Sequence, residues 1–180
     1  PISNPLPIMI AAMDLNSIHN AAAKGYHVQS TVLSGTKKRL LERTDAFNKG
    51  KIKAKAKGKS LKLSMQRVAY AAINEQDAKE KNKLAYEYYK RFDNMFTGPG
   101  KVNKGLIEPL PRKQSLEELT ENLLICPPSE MIDKLSIYAE AGVDEIIISA
   151  GFGQTQEEVL KSMHRINEKV MPYFKDFNSK

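Results

Sequence analysis

The residues best placed for chemistry meet in one corner, Ser149-Ala150-Gly151-Phe152-Gly153. Ile146, Ile147 and Ile148 run into it, and a helix leaves it with Thr155 and Glu158 at capping-box spacing. Three consecutive isoleucines call for cover on both faces, the mark of a parallel strand in an α/β protein. In such folds ligands sit beyond the C-terminal ends of the strands, where this corner falls. The chemistry it offers is binding. Gly151-Phe152-Gly153 is too short to be a phosphate loop, and no Gly-x-Gly-x-x-Gly or Walker sequence occurs. His19, His27 and His164 lack metal-ligand spacing and read as surface or hydrogen-bonded histidines. Cys126, between a helix and two prolines, reads as a packed thiol.

The elements that must position this corner follow from hydrophobic periodicity. Strands are expected near residues 7–12, 27–33, 63–72 and 144–150, each followed by a helix. The first helix is capped by Asp14 or Asn16, buries Ile18, Ala21 and Ala22, and stops at Gly25. Thr36 to Phe47 is the second, and Glu75 to Phe96 is a long third. Residues 97–114 form an irregular connection rich in glycine and proline, and Ser115 with Glu118 opens a short helix. After Pro127 and Pro128, Ser129 caps a helix from Glu130 to Ala141, which ends at Gly142. The last helix runs from Gln156 to Val170. Strands alternating with helices imply one domain, residues 1–180, with a parallel sheet and right-handed crossovers.

The net charge is +7. Residues 48–62 carry seven lysines and no acid, so this segment accounts for all of it. Residues 48–60 read as an exposed, lysine-rich surface loop. An extended lysine row can track a phosphate backbone, but no aromatic residue is interleaved for base stacking, so nucleic acid is not the expected partner. No apolar run reaches the length of a membrane span, and the first residues do not read as a signal peptide. A single cysteine fits a reducing compartment, and a cytoplasmic location is expected.

Three stretches together resemble one family, the bacterial luciferase-like flavin monooxygenases. Pro5-Leu-Pro-Ile-Met-Ile-Ala-Ala-Met-Asp with Ala21-Ala-Ala-Lys-Gly-Tyr is similar to the family's fifth barrel strand and helix. Arg67-Val-Ala-Tyr-Ala-Ala-Ile-Asn-Glu-Gln-Asp-Ala, ending in Tyr88-Tyr89, is similar to the seventh. The most specific stretch runs from Pro128 to Phe174 and resembles the last unit, with Tyr138-Ala-Glu-Ala-Gly-Val-Asp-Glu, Phe152-Gly and Val170-Met-Pro-Tyr-Phe. Cys126-Pro127-Pro128 departs from the family's Gly-Thr-Pro or Gly-Ser-Pro entry.

The resemblance implies the C-terminal half of a TIM (β/α)8 barrel, strands five to eight, because a full barrel takes about 250 residues. The chain is then expected to be a fragment, a processed chain or a natural half-barrel. The implied activity is oxidation of a small organic substrate with oxygen and reduced FMN, or a deazaflavin in its place. The cofactor-binding positions carried over are Ala11, Ala12, Met13, Ser149, Ala150, Gly151 and Phe152. Small residues there let a ring or phosphate approach the backbone, and they also make tight βα turns. No catalytic residue follows from the resemblance. The other reading is a non-catalytic half-barrel that serves binding or assembly. Either way four strands leave two open edges, at residues 7–12 and 144–150, for a missing N-terminal half or a second copy.

Overall fold

Residues 6–175 are described in a computed structural model; the proline-led entry at residues 1–5 lies outside them. Four strands fall near the expected positions: β1 (Met9–Ala11), β2 (His27–Thr31), β3 (Leu63–Ala71) and a later one at Glu145–Ser149. The chain clusters into two compact units that share β3, one reaching to Arg67 and including residues 134–149, the other holding 68–133 and the segment after residue 150.

In the first unit β1, β2 and β3 are parallel neighbours in that order, with Ile10 beside Val28 and Val28 beside Leu63. Helix α1 (Leu15–Ala23) begins where Ser17 N–H donates to Asp14 Oδ1 at 2.9 Å. Helix α2 (Lys37–Lys53) packs on α1. Ile18, Ala22, Val28, Phe47 and Leu63 form the core between these helices and the sheet.

Here one expectation is corrected. The lysine-rich stretch at 48–60 is not a loop, because α2 continues to Lys53 and a 3-10 turn follows over Lys55–Ser60. Gly50 explains it. A Cβ there would lie 2.5 Å from His19 O and 2.6 Å from the Ala22 Cβ, so α2 crosses α1 at this glycine and the helix is carried past Phe47 by packing. The lysines themselves remain mostly exposed.

The second unit begins with the end of β3, where Ala69–Ala71 pair in parallel with the short strand β6 (Leu124–Cys126), an element absent from the sequence reading. Helix α3 (Glu75–Phe96) starts at Asn74, whose side chain accepts from Asp77 N–H at 3.0 Å. Val68, Tyr70, Ala85, Tyr89, Leu123 and Ile125 make its core. The irregular connection holds a two-residue antiparallel hairpin, β4 (Val102–Asn103) with β5 (Leu106–Ile107), tied to α3 by Asn94 Nδ2 donating to Lys101 O and Glu108 O. Helix α4 (Leu116–Asn122) opens on the capping box of Ser115 and Glu118.

Helix α5 (Pro128–Glu140) starts at Pro128, two residues before the expected Glu130 and ahead of the expected Ser129 cap. Proline suits the first helical turn, where its missing N–H has no partner to lose. The helix ends at Gly142 with φ +83°. Strand β7 (Glu145–Ser149) pairs with β3. Its isoleucines are less covered than three in a row imply: Ile146 and Ile147 are half-buried and Ile148 is 42% exposed. Helix α6 (Gln156–Arg165) is shorter than expected and passes through a π turn, Ile166–Val170, into α7 (Met171–Phe174).

Candidate functional site

The first unit has a second sheet face. Along β2, Val28, Ser30 and Val32 are buried while His27, Gln29 and Thr31 are half-buried. Side chains alternate along a strand, so these three lie opposite the α1–α2 core. Register extends the face: Ala11 is level with Gln29, Gln29 with Ser64, and Thr31 with Gln66. The result is a row of hydrogen-bonding side chains on the face away from the helices.

Each member is held by a partner that can be named. Glu145 Oε1 accepts from Lys62 Nζ at 2.9 Å, and Oε2 accepts from Ser64 Oγ at 2.7 Å. The bonds from Lys62 and then Ser64 hold the Glu145 carboxyl below the ordinary carboxylate range, so it is a fixed anion with both oxygens engaged. Lys62 N–H donates to His27 Nδ1 at 3.0 Å, which leaves the ring proton on Nε2. Leu63 N–H donates to Asp144 Oδ2 at 2.7 Å, and Asp144 N–H returns a bond to Leu63 O, fixing the entry to β7 against β3. Gln29 Nε2 and Gln66 Oε1 meet at 3.5 Å.

The loop at the C-terminal end of β2 is clamped from two sides. Leu33 has φ +53°, a conformation unfavourable for a branched side chain. Its N–H donates to Thr31 Oγ1 at 3.0 Å, and its carbonyl accepts from the guanidinium of Arg67. Arg67 is among the largest fully buried side chains and lies 5.7 Å from the Tyr138 ring centroid. Burial raises the Tyr138 pKa, which keeps that phenol neutral above Arg67.

In the second unit the corner after β7 is seated on the end of β3. The Phe152 ring meets Tyr70 edge-on at 6.3 Å, and Phe152 N–H donates to Gln154 Oε1. The Thr155–Glu158 capping box opens α6 as the spacing required. Ala71 N–H then donates to Ser162 Oγ at 2.8 Å, and Arg165 Nε donates to Ala71 O at 2.7 Å. Lys81, nearly fully buried, reaches Glu158 Oε1 at 2.5 Å. Lys81 and Arg165 both stand beside the Tyr70 ring, at 5.8 and 5.7 Å. The bond from Lys81, then those from Thr155, take the Glu158 carboxyl down to about 2.

The seven carried-over positions divide among these places. Ala11 is exposed beside Gln29, and Ser149 alternates with Glu145 onto the same face of β7. Ala12 belongs to the first core and Phe152 to the second. Met13 and Gly151 are exposed, and Ala150 is half-buried. Gln29, Gln66, Thr31 and Arg67 were missed by the sequence reading. For Gln29 and Thr31 the signal was a strand, His27–Thr31, whose polar residues alternate with apolar ones and which was read only for its apolar half; Gln66 and Arg67 lie within β3, where nothing local marks them. Among the described residues no group of three or more His, Cys, Asp or Glu could hold a metal ion, and no helix is long and apolar enough to cross a membrane. The arrangement can orient a ligand by hydrogen bonds.

Comparison with known proteins gives the same direction. No family model matches the chain. It is 29% identical over 180 residues to the oxygenase component of a flavin-dependent trigonelline monooxygenase from Acinetobacter baylyi (strain ATCC 33305 / BD413 / ADP1), covering 96% of this chain and 49% of that protein. The chain thus spans about half the length of the curated relative it matches. Among solved structures, monooxygenase RslO1 from Streptomyces bottropensis aligns with a TM-score of 0.69 at 18% identity, over 96% of this chain and 50% of that one. The oxygenating constituent of 3,6-diketocamphane monooxygenase from Pseudomonas putida, in complex with FMN, aligns at 0.63 and 17%, over 92% and 48%. The F420-dependent tetrahydromethanopterin reductase from Methanopyrus kandleri aligns at 0.62 and 15%, over 94% and 51%. The chain therefore resembles the luciferase-like flavin-dependent monooxygenases, as its own motifs indicate, and has the fold of about half of their barrel.

Proposed function

We infer that this chain is the C-terminal part of a flavin-dependent, luciferase-like monooxygenase that oxidises a small organic substrate. One observation carries the reading: a parallel sheet with an apolar face under helices and an opposite face of oriented hydrogen-bonding groups, in a chain similar in sequence to a flavin-dependent monooxygenase. A parallel sheet that needed only to pack would be apolar on both faces.

The residues present fit a flavin ring. Its pyrimidine edge carries carbonyl acceptors and an N–H donor, and the amides of Gln29 and Gln66 supply both complements. Ala11, at the level of Gln29, leaves room for a planar group. Ala12 and Met13 follow it, and Ser149, Ala150, Gly151 and Phe152, after the last strand, are the other proposed cofactor-binding positions. The fit extends to FMN and to a deazaflavin, because the two share that edge. When bound, the reduced flavin supplies the oxidation chemistry with oxygen, and the protein supplies position and exclusion of water. Lys62, beside this face, is paired with Glu145 at 2.9 Å.

The proposed partner is the other half of the barrel, on the same or another polypeptide. β1 pairs only with β2 among the described residues, and all three of its residues are exposed. Ile8, Met9 and Ile10 are exposed there, and residues 6–13 carry no charge to blunt the edge. Titration of the chain with FMN, followed by quenching of flavin fluorescence, tests the reading. Saturable binding at micromolar flavin, with oxygen-dependent oxidation of chemically reduced flavin coupled to substrate turnover once the missing half is supplied, is the expected result. Absence of flavin binding by both the chain and the completed barrel refutes it.

A further inference from the structure

Gln29 and Gln66 stand out on the polar face because, among the described residues, the one side-chain hydrogen bond of each is to the other, and that bond, at 3.5 Å, is at the long limit for a hydrogen bond. Each carboxamide brings one carbonyl acceptor and an NH2 donor. With Gln29 Nε2 turned to Gln66 Oε1, the groups left over are the Gln29 carbonyl and the Gln66 amide nitrogen. Turning both amides over leaves the same complement, one acceptor and one donor side by side. Both side chains are half-buried, so a ligand that matches this complement takes over hydrogen bonds otherwise made to water.

The surroundings select the ligand chemistry. Ala11, level with Gln29, leaves space on the β1 side. Thr31, level with Gln66, has its oxygen engaged by Leu33 N–H. Glu145 is bound by Lys62 and Ser64, so it presents no open charge. A carboxylate or phosphate placed here would meet a carbonyl oxygen, and Lys62 beside the face is already paired with Glu145. A neutral group with an acceptor next to an N–H donor would satisfy both amides at once.

We propose that Gln29 and Gln66 form a two-amide reader for the lactam, imide or carboxamide edge of a planar ligand. The proposal deepens the monooxygenase reading and rests on it. Two sources share this chemistry, the pyrimidine edge of the flavin and a substrate that carries a lactam, and the test separates them.

The 180-residue chain is titrated with lumiflavin and N3-methyl-lumiflavin by fluorescence quenching, and with 2-pyridone and N-methyl-2-pyridone by calorimetry. The wild-type chain is expected to bind the N–H form of one pair about tenfold more tightly than its N-methyl form, the scale of one to two neutral hydrogen bonds. Gln29→Leu and Gln66→Leu are expected to abolish that preference with an unchanged circular dichroism spectrum. A preference within the flavin pair assigns the site to the cofactor, and one within the pyridone pair assigns it to the substrate. Equal binding of the N–H and N-methyl forms, or a preference that survives both substitutions, overturns the proposal and leaves the function reading standing. Failure of the wild-type chain to bind any of the four overturns the proposal, and failure of the completed barrel as well overturns both.

Discussion

Gly50→Ala distinguishes a packed lysine-rich helix from a solvated loop by the sign of its effect. In an exposed loop or an uncrowded helix the change stabilises, by about 0.4–1 kcal/mol through the unfolded chain or about 1 kcal/mol through helix propensity. In this structure the new methyl group would sit 2.5 Å from His19 O, 2.6 Å from the Ala22 Cβ and 3.2 Å from Ala23 N. Ordinary contact between such atoms is about 3.5 Å, so α1 and α2 must separate by up to about 1 Å. Two of the three neighbours are backbone atoms and cannot rotate away. Overpacking of this kind costs about 1–3 kcal/mol, and rigid neighbours place it near the upper end. Offsetting about 1 kcal/mol of helix propensity leaves a net loss of about 2 kcal/mol. With a urea m-value of about 2 kcal/mol/M, the unfolding midpoint falls by about 1 M with an unchanged slope. A midpoint that is unchanged or raised would show that α2 does not cross α1 at Gly50, and the packed-helix account of residues 48–60 would be wrong.

Ser162→Ala removes the acceptor for the buried Ala71 N–H and should cost about 1–3 kcal/mol in the same titration; a change within 0.5 kcal/mol, about the size of an ordinary surface substitution, would mean that α6 does not hold the end of β3. Leu63, fully buried, and Ile147, half-buried, give an ordered pair: Leu63→Ala should cost about 2–5 kcal/mol and Ile147→Ala clearly less, and a reversed order would place β7 at the centre of the sheet. The Glu158 carboxyl should titrate near 2 when followed by side-chain NMR, against the ordinary 4.5, because Lys81 and Thr155 favour its charged form. A lowered folded-state pKa means that this stabilisation is complete above about pH 5 and is lost as pH falls toward 2, and Lys81→Met should return the midpoint toward 4.5. A midpoint near 4.5 in the unaltered chain would break the Lys81–Glu158 account.

Local signals determined most of the elements. Asp14, Ser115 and Thr155 cap the helices that their spacing announced, because a cap is an interaction among residues three apart and is written wholly in the sequence. Apolar alternation placed β2 and β3, and the motifs from Pro128 to Phe174 carried the resemblance that the comparisons bear out. The rest depends on residues far apart in the chain. Helix α2 outruns its own apolar pattern because Gly50 meets α1 some thirty residues earlier. β6 is three residues long and is a strand only because Ala69–Ala71 lie beside it. Ile147 and Ile148 look like core from their neighbours in sequence, yet strand order decides how much surrounds them. The polar face exists only in register: Gln29 and Gln66 are 37 positions apart, and a shift of one residue in β3 would turn Ser64 and Gln66 toward the helices and Leu63 and Met65 toward the opposite face. Sequence determines which side chains alternate; only strand pairing decides which of them share a face, because that is set by backbone hydrogen bonds between segments that carry no record of their partner.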